Sequence, residues 1–188
     1  MFCEGWKPVI HSEAAKCWRC GFEASTSSFS GPIEVVADLP DELERALARS
    51  DAAEMIQQVD AYAQYFAQGA GEWPEDHADD FGEIVLCHHD DPEKALAYIA
   101  IAASRSDDFA FLGYVGCGLL EALLQNPSPE LLERIVVEAT GSARFRWLLS
   151  NPVKDLIAES AWAAIEGLRI TGPQEAPPED KLPPRRVN

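Results

Sequence analysis

Basic residues are scarce in this chain: 15 Lys and Arg stand against 32 Asp and Glu among 188 residues, a formal net charge of −17. Most of the excess lies in residues 34–93, which hold 17 acidic residues and only two arginines. Because DNA and RNA are bound by Lys and Arg that displace counterions from phosphates, direct nucleic-acid binding is disfavoured. The same field would favour encounter with a basic protein.

Long apolar runs are also missing. No stretch approaches the roughly 18 uninterrupted apolar residues that a membrane-spanning helix needs. The start, Met1–Lys7, lacks the basic and apolar regions of a secretory signal. We therefore expect a cytoplasmic protein without membrane contact, in which the five cysteines, an odd number, are reduced.

A degenerate repeat runs through the second half of the chain. The segments Ser106–Leu112 and Ser142–Leu148 share the pattern Ser-x-x-Phe-x-aromatic-Leu at an offset of 36 residues. A period of this length with helical patterning is typical of stacked helix pairs. The aromatic residues at equivalent positions are then expected to pack between layers: Phe109, Phe111, Phe145 and Trp147.

Three helix starts are predicted from one shared signal, a capping side chain followed by Pro. They are Asp91-Pro92, Ser128-Pro129 and Asn151-Pro152. The side-chain oxygen accepts from a free backbone N–H, while Pro fits the first helical position. Together with the repeat, these starts predict an all-α fold. We expect about eight helices in antiparallel pairs, stacked as a short HEAT-like, α-solenoid-like array.

The composition divides the chain into three parts. Residues 1–32 form an N-terminal appendage that ends in a Ser-rich stretch. Residues 33–169 carry the amphipathic stripes of the helical domain. Residues 170–188 are rich in Pro and poor in apolar side chains, so they are expected to be a disordered tail.

Residues Leu86–Leu149 resemble a family of bacterial helical domains of unknown function. The matching stretches are Leu86-Cys87 with Asp91–Ala95, Tyr114–Leu124, and Ala143–Leu148. Where that family usually has Gly-x-Gly-Pro-Leu-Glu-Asp-Leu-Leu, Leu119 replaces the Pro and Ala122 replaces the Asp in this chain. The resemblance implies a helical fold and a bacterial origin. It implies no known activity.

The N-terminal segment contains Cys17-Trp18-Arg19-Cys20-Gly21, which has the form of a zinc knuckle. A second Cys-x-x-Cys is missing, so Cys3 and His11 would have to complete the site. Plain reduced thiols and a redox pair remain as alternatives. We expect no cofactor, with zinc at this knuckle as the exception left open.

The segment Cys87-His88-His89-Asp90-Asp91 is the densest cluster of metal-binding residue types in the chain. Adjacent histidines on a helix diverge by roughly 100°, so they can face one ion only if the helix has ended. Histidines near a helix C-terminus are also favoured by the helix dipole alone. A metal or catalytic role for this segment is therefore an alternative and not the leading interpretation.

The leading functional hypothesis is a non-catalytic module that uses an acidic helical face to bind another protein. The candidate partner-binding residues are Asp76, Asp79, Asp80 and Glu83. One alternative is an immunity or antitoxin-like inhibitor that covers a basic toxin. Another is a metal-dependent enzyme or regulator built on Cys17, Cys20, His88 and His89.

Overall fold

The computed structural model describes residues 41–69 and 78–185. By contacts, the chain divides into residues 1–39 and 40–188, and every described residue belongs to the second unit. Within these described ranges the secondary structure is helical and contains no strand, so the all-α prediction is confirmed. The proposed zinc ligands Cys3, His11, Cys17 and Cys20 lie outside the described residues.

The α-helices are short, with α2 and α4 as the longest. In chain order they are α1 Glu42–Leu47, α2 Ala52–Ala67, α3 Ala78–Leu86, α4 Pro92–Arg105, α5 Phe109–Val115, α6 Glu121–Gln125, α7 Pro129–Gly141, α8 Ala143–Leu149 and α9 Glu159–Ile165. A π-helical turn, Gly116–Leu120, joins α5 to α6. The 3₁₀ turns are Cys87–His89, Lys154–Leu156, Glu166–Leu168 and Glu179–Lys181.

Two of the three predicted Pro-marked helix starts are confirmed. Asp91 accepts a hydrogen bond from the Lys94 N–H at 2.8 Å, and α4 begins at Pro92. Ser128 accepts from the Leu131 N–H at 3.2 Å at the start of α7. Each cap satisfies a backbone donor that would otherwise lack an intrahelical partner.

The predicted start at Asn151-Pro152 is wrong, because α9 begins only at Glu159. The Asn151 side chain instead donates to the carbonyl oxygens of Trp147 and Leu148, both at 3.1 Å. It therefore satisfies carbonyl oxygens at the end of α8, and no α-helix starts at Pro152.

Helix α4 lies at the centre of the domain. All of its residues from Ala95 to Ala103 are buried, and it packs against α1, α2, α5 and α8. A helix that is apolar on every side is stable only when neighbours surround it. The long Ala-rich sequence of α4 suits this position, since small side chains let several helices approach it closely.

Aromatic rings connect α2, α3 and α5. The Tyr62 ring lies 4.5 Å from Phe81, 5.4 Å from Phe66, 5.7 Å from Phe111 and 5.8 Å from Tyr114, measured between centroids. Such pairs contribute beyond the area they bury. This cluster packs both α3 and α5 against α2.

The offset of 36 that equates Phe109 with Phe145 does not hold between α5 and α8. Ser142 both ends α7 and caps α8, whereas Ser106 ends α4 and a different residue, Asp108, caps α5. Phe109 is consequently the first residue of α5 and 42% exposed, while Phe145 is the third residue of α8 and buried. The packing predicted for Phe109 is therefore wrong, and the HEAT-like array stays a prediction.

Gly116 allows the π-helical turn to approach the end of α8. A Cβ atom at this position would lie 2.8 Å from the Leu148 carbonyl oxygen and 2.8 Å from the Asn151 Cβ. The helical path runs unbroken from α5 through this turn into α6.

Residues 170–185 differ from the disordered tail expected from composition. Pro177 is buried, and Leu182 packs against the hydrophobic core. The Trp147 indole N–H donates to the Pro178 carbonyl at 3.0 Å. Composition misses these contacts because they depend on donors that the folded domain places along the path of the segment.

Candidate binding surface beside Cys87 and Lys94

The end of α3, the turn after it and the start of α4 line an open recess of about 560 Å³. Residues on α3 at spacings of three, four and seven share one helical face, which forms one wall. The lining residues are Asp79, Gly82, Glu83, Leu86, Cys87, Asp90, Asp91 and Lys94. We call this feature the acidic recess, since four of its residues are carboxylates and one is basic.

Lys94 neutralises part of the acidic recess. Its ammonium group contacts Glu83, and it lies 3.5 Å from Asp51 Oδ2. Burial lowers the pKa of Lys94, but the hydrogen bonds and negative charges of Glu83 and Asp51 outweigh it, so the pKa is raised overall. Lys94 is therefore charged at neutral pH and holds Glu83 in place.

Arg49 supports the same region from the end of α1. Its guanidinium donates to both oxygens of Asp51, at 2.9 and 3.3 Å, and to Asp91 at 3.2 Å. The hydrogen bond to Asp51 raises the pKa of Arg49, and the bond from Arg49 lowers the pKa of Asp51. Two cations thus hold Asp51, Glu83 and Asp91 in one network.

Asp79 and Asp90 are the carboxylates of the acidic recess that remain open to a ligand. Both are exposed, and neither forms an ion pair with another residue in 41–69 or 78–185. Leu86, between them in sequence, is 57% exposed. The recess therefore offers negative charge next to an exposed apolar side chain.

The predicted partner-binding residues are placed as follows. Asp79 and Glu83 both line the acidic recess, although Glu83 is paired with Lys94. Asp80 belongs to α3, but its side chain, like the whole of Asp76, is outside the described residues. Sequence reasoning missed Leu86 and Lys94, which the helical spacing from Asp79 to Leu86 and the confirmed start of α4 could have indicated.

Much of the acidic segment is paired with bases that come later in the chain. Arg134 on α7 donates to both oxygens of Glu42, at 2.8 and 2.6 Å, and also contacts Glu93. Arg105 binds both oxygens of Asp60, at 2.8 and 2.6 Å. The acids of residues 34–93 therefore do not all contribute free negative charge to the surface.

The Cys87–His89 turn shows no activated nucleophile. The Cys87 thiol donates to the Ile84 carbonyl at 3.4 Å, and burial raises the pKa of Cys87 to about 12. A thiol with this pKa is protonated at neutral pH and is a poor nucleophile. The exposed Cys117 lies 3.8 Å from the Tyr114 carbonyl, and its pKa is also raised, mainly by burial.

The two adjacent histidines lie next to each other, with ring centroids 3.9 Å apart. His88 Nδ1 is 3.0 Å from the Val85 carbonyl oxygen, and both histidines line a second recess of about 460 Å³ against α6 and α7. In the part of the chain that the structure describes, no three His, Cys, Asp or Glu residues are grouped to hold a metal ion. The zinc knuckle remains a prediction for residues outside that part.

None of the helices in residues 41–69 and 78–185 has the length and apolar character needed to cross a bilayer.

Comparison with protein families gives one match. The model of a family of unknown function, DUF6869, matches residues 72–172, just over half of the chain. The chain belongs to this family. The DUF6869 region contains the acidic recess, the π-helical turn and α7 to α9. No curated protein and no solved structure matches the chain.

Proposed function

We propose that this DUF6869 chain is a non-catalytic, cytoplasmic module that binds a basic region of another protein at the acidic recess. The observation that carries the proposal is the position of exposed Asp79 and Asp90 beside exposed Leu86 in one recess. Nucleic acid and membranes are not its expected partners, because the chain carries a large excess of negative charge.

A Lys or Arg side chain from a partner suits this recess. Such a side chain has an apolar stem and a charged head, and it buries the stem while the head stays near water or a carboxylate. Here the stem would lie along Leu86, and the head would reach Asp79 or Asp90. The charge would mainly raise the association rate and select basic partners, while the apolar contact would slow dissociation.

The non-catalytic part of the proposal is supported by the chemistry of Cys87. Its thiol is held protonated by burial, so it offers no thiolate at neutral pH. An immunity or antitoxin-like inhibitor of a basic toxin is a narrower form of the same proposal. It requires the same acidic recess and adds only the identity of the partner.

The test uses affinity capture with the full chain and quantitative mass spectrometry, at about 50 mM and about 500 mM salt. The site variant is Asp79→Asn with Asp90→Asn. We expect the unmodified chain to retain a basic protein at low salt. The site variant should bind that protein about tenfold more weakly, which corresponds to about 1.4 kcal/mol of binding free energy. High salt should release the same protein from the unmodified chain.

The matched control is Glu44→Gln with Glu54→Gln, which removes the same charge from two exposed residues outside the acidic recess. If the recess binds the partner, the control captures it as well as the unmodified chain does. Equal losses in the site and control variants would mean that only overall charge matters. That result would contradict a site at the recess.

A further inference from the structure

A second surface of this chain already holds a peptide-like ligand, and that ligand is a segment of the chain itself. Residues 177–185 read Pro-Pro-Glu-Asp-Lys-Leu-Pro-Pro-Arg. They lie across the starts of α5 and α8 and the end of α4, through hydrogen bonds to Trp147, Arg144 and the Arg105 carbonyl. We call the surface under them the proline groove.

Trp147 binds the first half of the segment. Its ring is buried within α8, and its indole N–H donates to the Pro178 carbonyl at 3.0 Å. Pro178 has φ −63° and ψ 140°, which is the polyproline II conformation. Pro178 leads directly into the 3₁₀ turn Glu179–Lys181, so the Trp147 N–H binds the carbonyl at the point where the chain turns.

Arg144 binds the second half of the segment. Its guanidinium is buried and is held by the carbonyls of Ala103 and Ser106 and by Asp107 at 3.0 Å. These bonds fix the side chain and leave Nη1 directed at the Pro183 carbonyl. Because a buried guanidinium needs acceptors for its N–H groups, the groove requires a carbonyl at this position.

A charge at the end of the groove adds selectivity for a basic residue. Arg185 Nη2 lies 2.8 Å from Asp107 Oδ2, and Arg185 Nη1 donates to the Arg105 carbonyl at 2.9 Å. Between the two proline carbonyls, Leu182 inserts its side chain toward the core. The proline groove therefore recognises two carbonyls, one apolar side chain and one guanidinium along a single segment that contains the 3₁₀ turn Glu179–Lys181.

The segment is suited to act as an exchangeable ligand. Its four prolines lack N–H groups, so they leave no donors unsatisfied when the segment binds or departs. Most of its side chains are exposed, with Pro177, Leu182 and Pro183 as the exceptions. The contacts that the domain loses when the segment leaves are those to Trp147, Arg144 and the core, and a partner segment of the same pattern replaces them.

We propose that the proline groove is a binding site for segments of the form Pro-x-x-x-Leu-Pro-Pro-Arg, and that residues 178–185 occupy it as an intramolecular ligand. A partner protein that presents such a segment binds by displacing them. This site is separate from the acidic recess and recognises backbone carbonyl groups and an arginine. Because the intramolecular segment competes for the groove, a partner must bind tightly enough to displace it.

The test measures binding of a fluorescein-labelled synthetic peptide, Pro177–Arg185, to the full chain by fluorescence anisotropy. The key variant, Leu182→Ser with Arg185→Ser, weakens the intramolecular segment and leaves the groove intact. We expect the peptide to bind this variant about tenfold or more tightly than the unmodified chain, since its intramolecular competitor is weakened. Arg185→Ser alone, a change at an exposed residue, should give a smaller gain in the same direction.

Two controls establish that the groove is the binding site. Trp147→Phe, added to the weakened variant, keeps an aromatic ring but removes the N–H donor, and it should reverse most of the gain. A peptide with Ala in place of Arg185 should bind less tightly and with less dependence on salt. Circular dichroism verifies that each variant is folded.

The proposal is overturned if folded, weakened chains bind the peptide no better than the unmodified chain. It is also overturned if Trp147→Phe leaves the affinity unchanged, or if a scrambled peptide of the same composition binds equally well. If the double variant fails to fold, the affinity of Arg185→Ser for the peptide decides. Tighter binding than to the unmodified chain supports the proposal, and equal binding overturns it.

Discussion

Gly116 marks a close contact between the α5–α6 helical path and α8. A Cβ at this position would lie 2.8 Å from the Leu148 carbonyl oxygen, an atom of a helix backbone that cannot rotate away. Gly116→Ala should therefore force the two helices apart and lower the free energy of unfolding by about 1–3 kcal/mol. Urea unfolding monitored by circular dichroism measures this change.

Gly118 provides the matched control, since it lies in the same π-helical turn. An added Cβ would have only the Tyr114 Cε1 atom nearby, at 3.9 Å, which is ordinary contact. Gly118→Ala should then leave stability unchanged or raise it by up to about 1 kcal/mol, because Ala favours helix over Gly. Equal destabilisation by both substitutions would show that the close approach at Gly116 is not the cause.

Among the helices, the starts that could be predicted from sequence are those with purely local signals. In Asp91-Pro92 and Ser128-Pro129, the capping oxygen and the Pro both lie within four residues of the backbone N–H that the oxygen accepts from. Asn151-Pro152 carries the same signal but starts no helix. The Val153 N–H that follows it binds Glu121 Oε2 at 2.8 Å, a residue 32 positions earlier, which no local pattern could reveal.

Glu121 consequently connects α6 to the loop after α8. It is buried, and its carboxylate accepts the Val153 N–H. Glu121→Ala should cost about 1–3 kcal/mol of unfolding free energy, because it leaves a partly buried donor without an acceptor. Glu121→Gln retains an oxygen at the same position and should cost clearly less. Thermal unfolding of the two variants and the unmodified chain provides the comparison.

This comparison also separates the negative charge of Glu121 from its hydrogen-bond acceptor and side-chain volume taken together. Both substitutions remove the negative charge of Glu121, but only Ala also removes the acceptor and most of the side-chain volume. If Gln and Ala cost the same, the charge and not the bond to Val153 would account for the effect. That outcome would contradict a positioning role for Glu121.

For the domain as a whole, the sequence predicts the all-α class and places Asp79 and Glu83 on one helical face. It does not predict how much of the acidic charge is neutralised. Arg134 and Glu42 are 92 residues apart and meet only because α1 and α7 approach each other in the folded chain. Pairing of this kind depends on tertiary structure, so composition overstates the free negative surface and leaves Asp79 and Asp90 as the part that matters for the acidic recess.

The pairing at Asp51 also sets a pH dependence of the stability of the domain. The hydrogen bond from Arg49, opposed by burial, lowers the pKa of Asp51 below the ordinary value of 3.8. The folded state therefore binds a proton less readily than the unfolded state. Its contribution is present above about pH 4 and is lost as the pH falls through the folded-state pKa.

Asp51→Asn should therefore lower the free energy of unfolding by about 0.5–1 kcal/mol at pH 7, since the pair is only partly buried. The difference from the unmodified chain should shrink progressively below about pH 4. Urea unfolding at about pH 7, 5 and 3 measures it. In an Arg49→Gln background, which removes the guanidinium charge, Asp51→Asn should have a clearly smaller effect at pH 7, since only the contact with Lys94 then supplies a positive charge. A difference that persisted at the lowest pH, or that was undiminished without Arg49, would contradict this account of the pair.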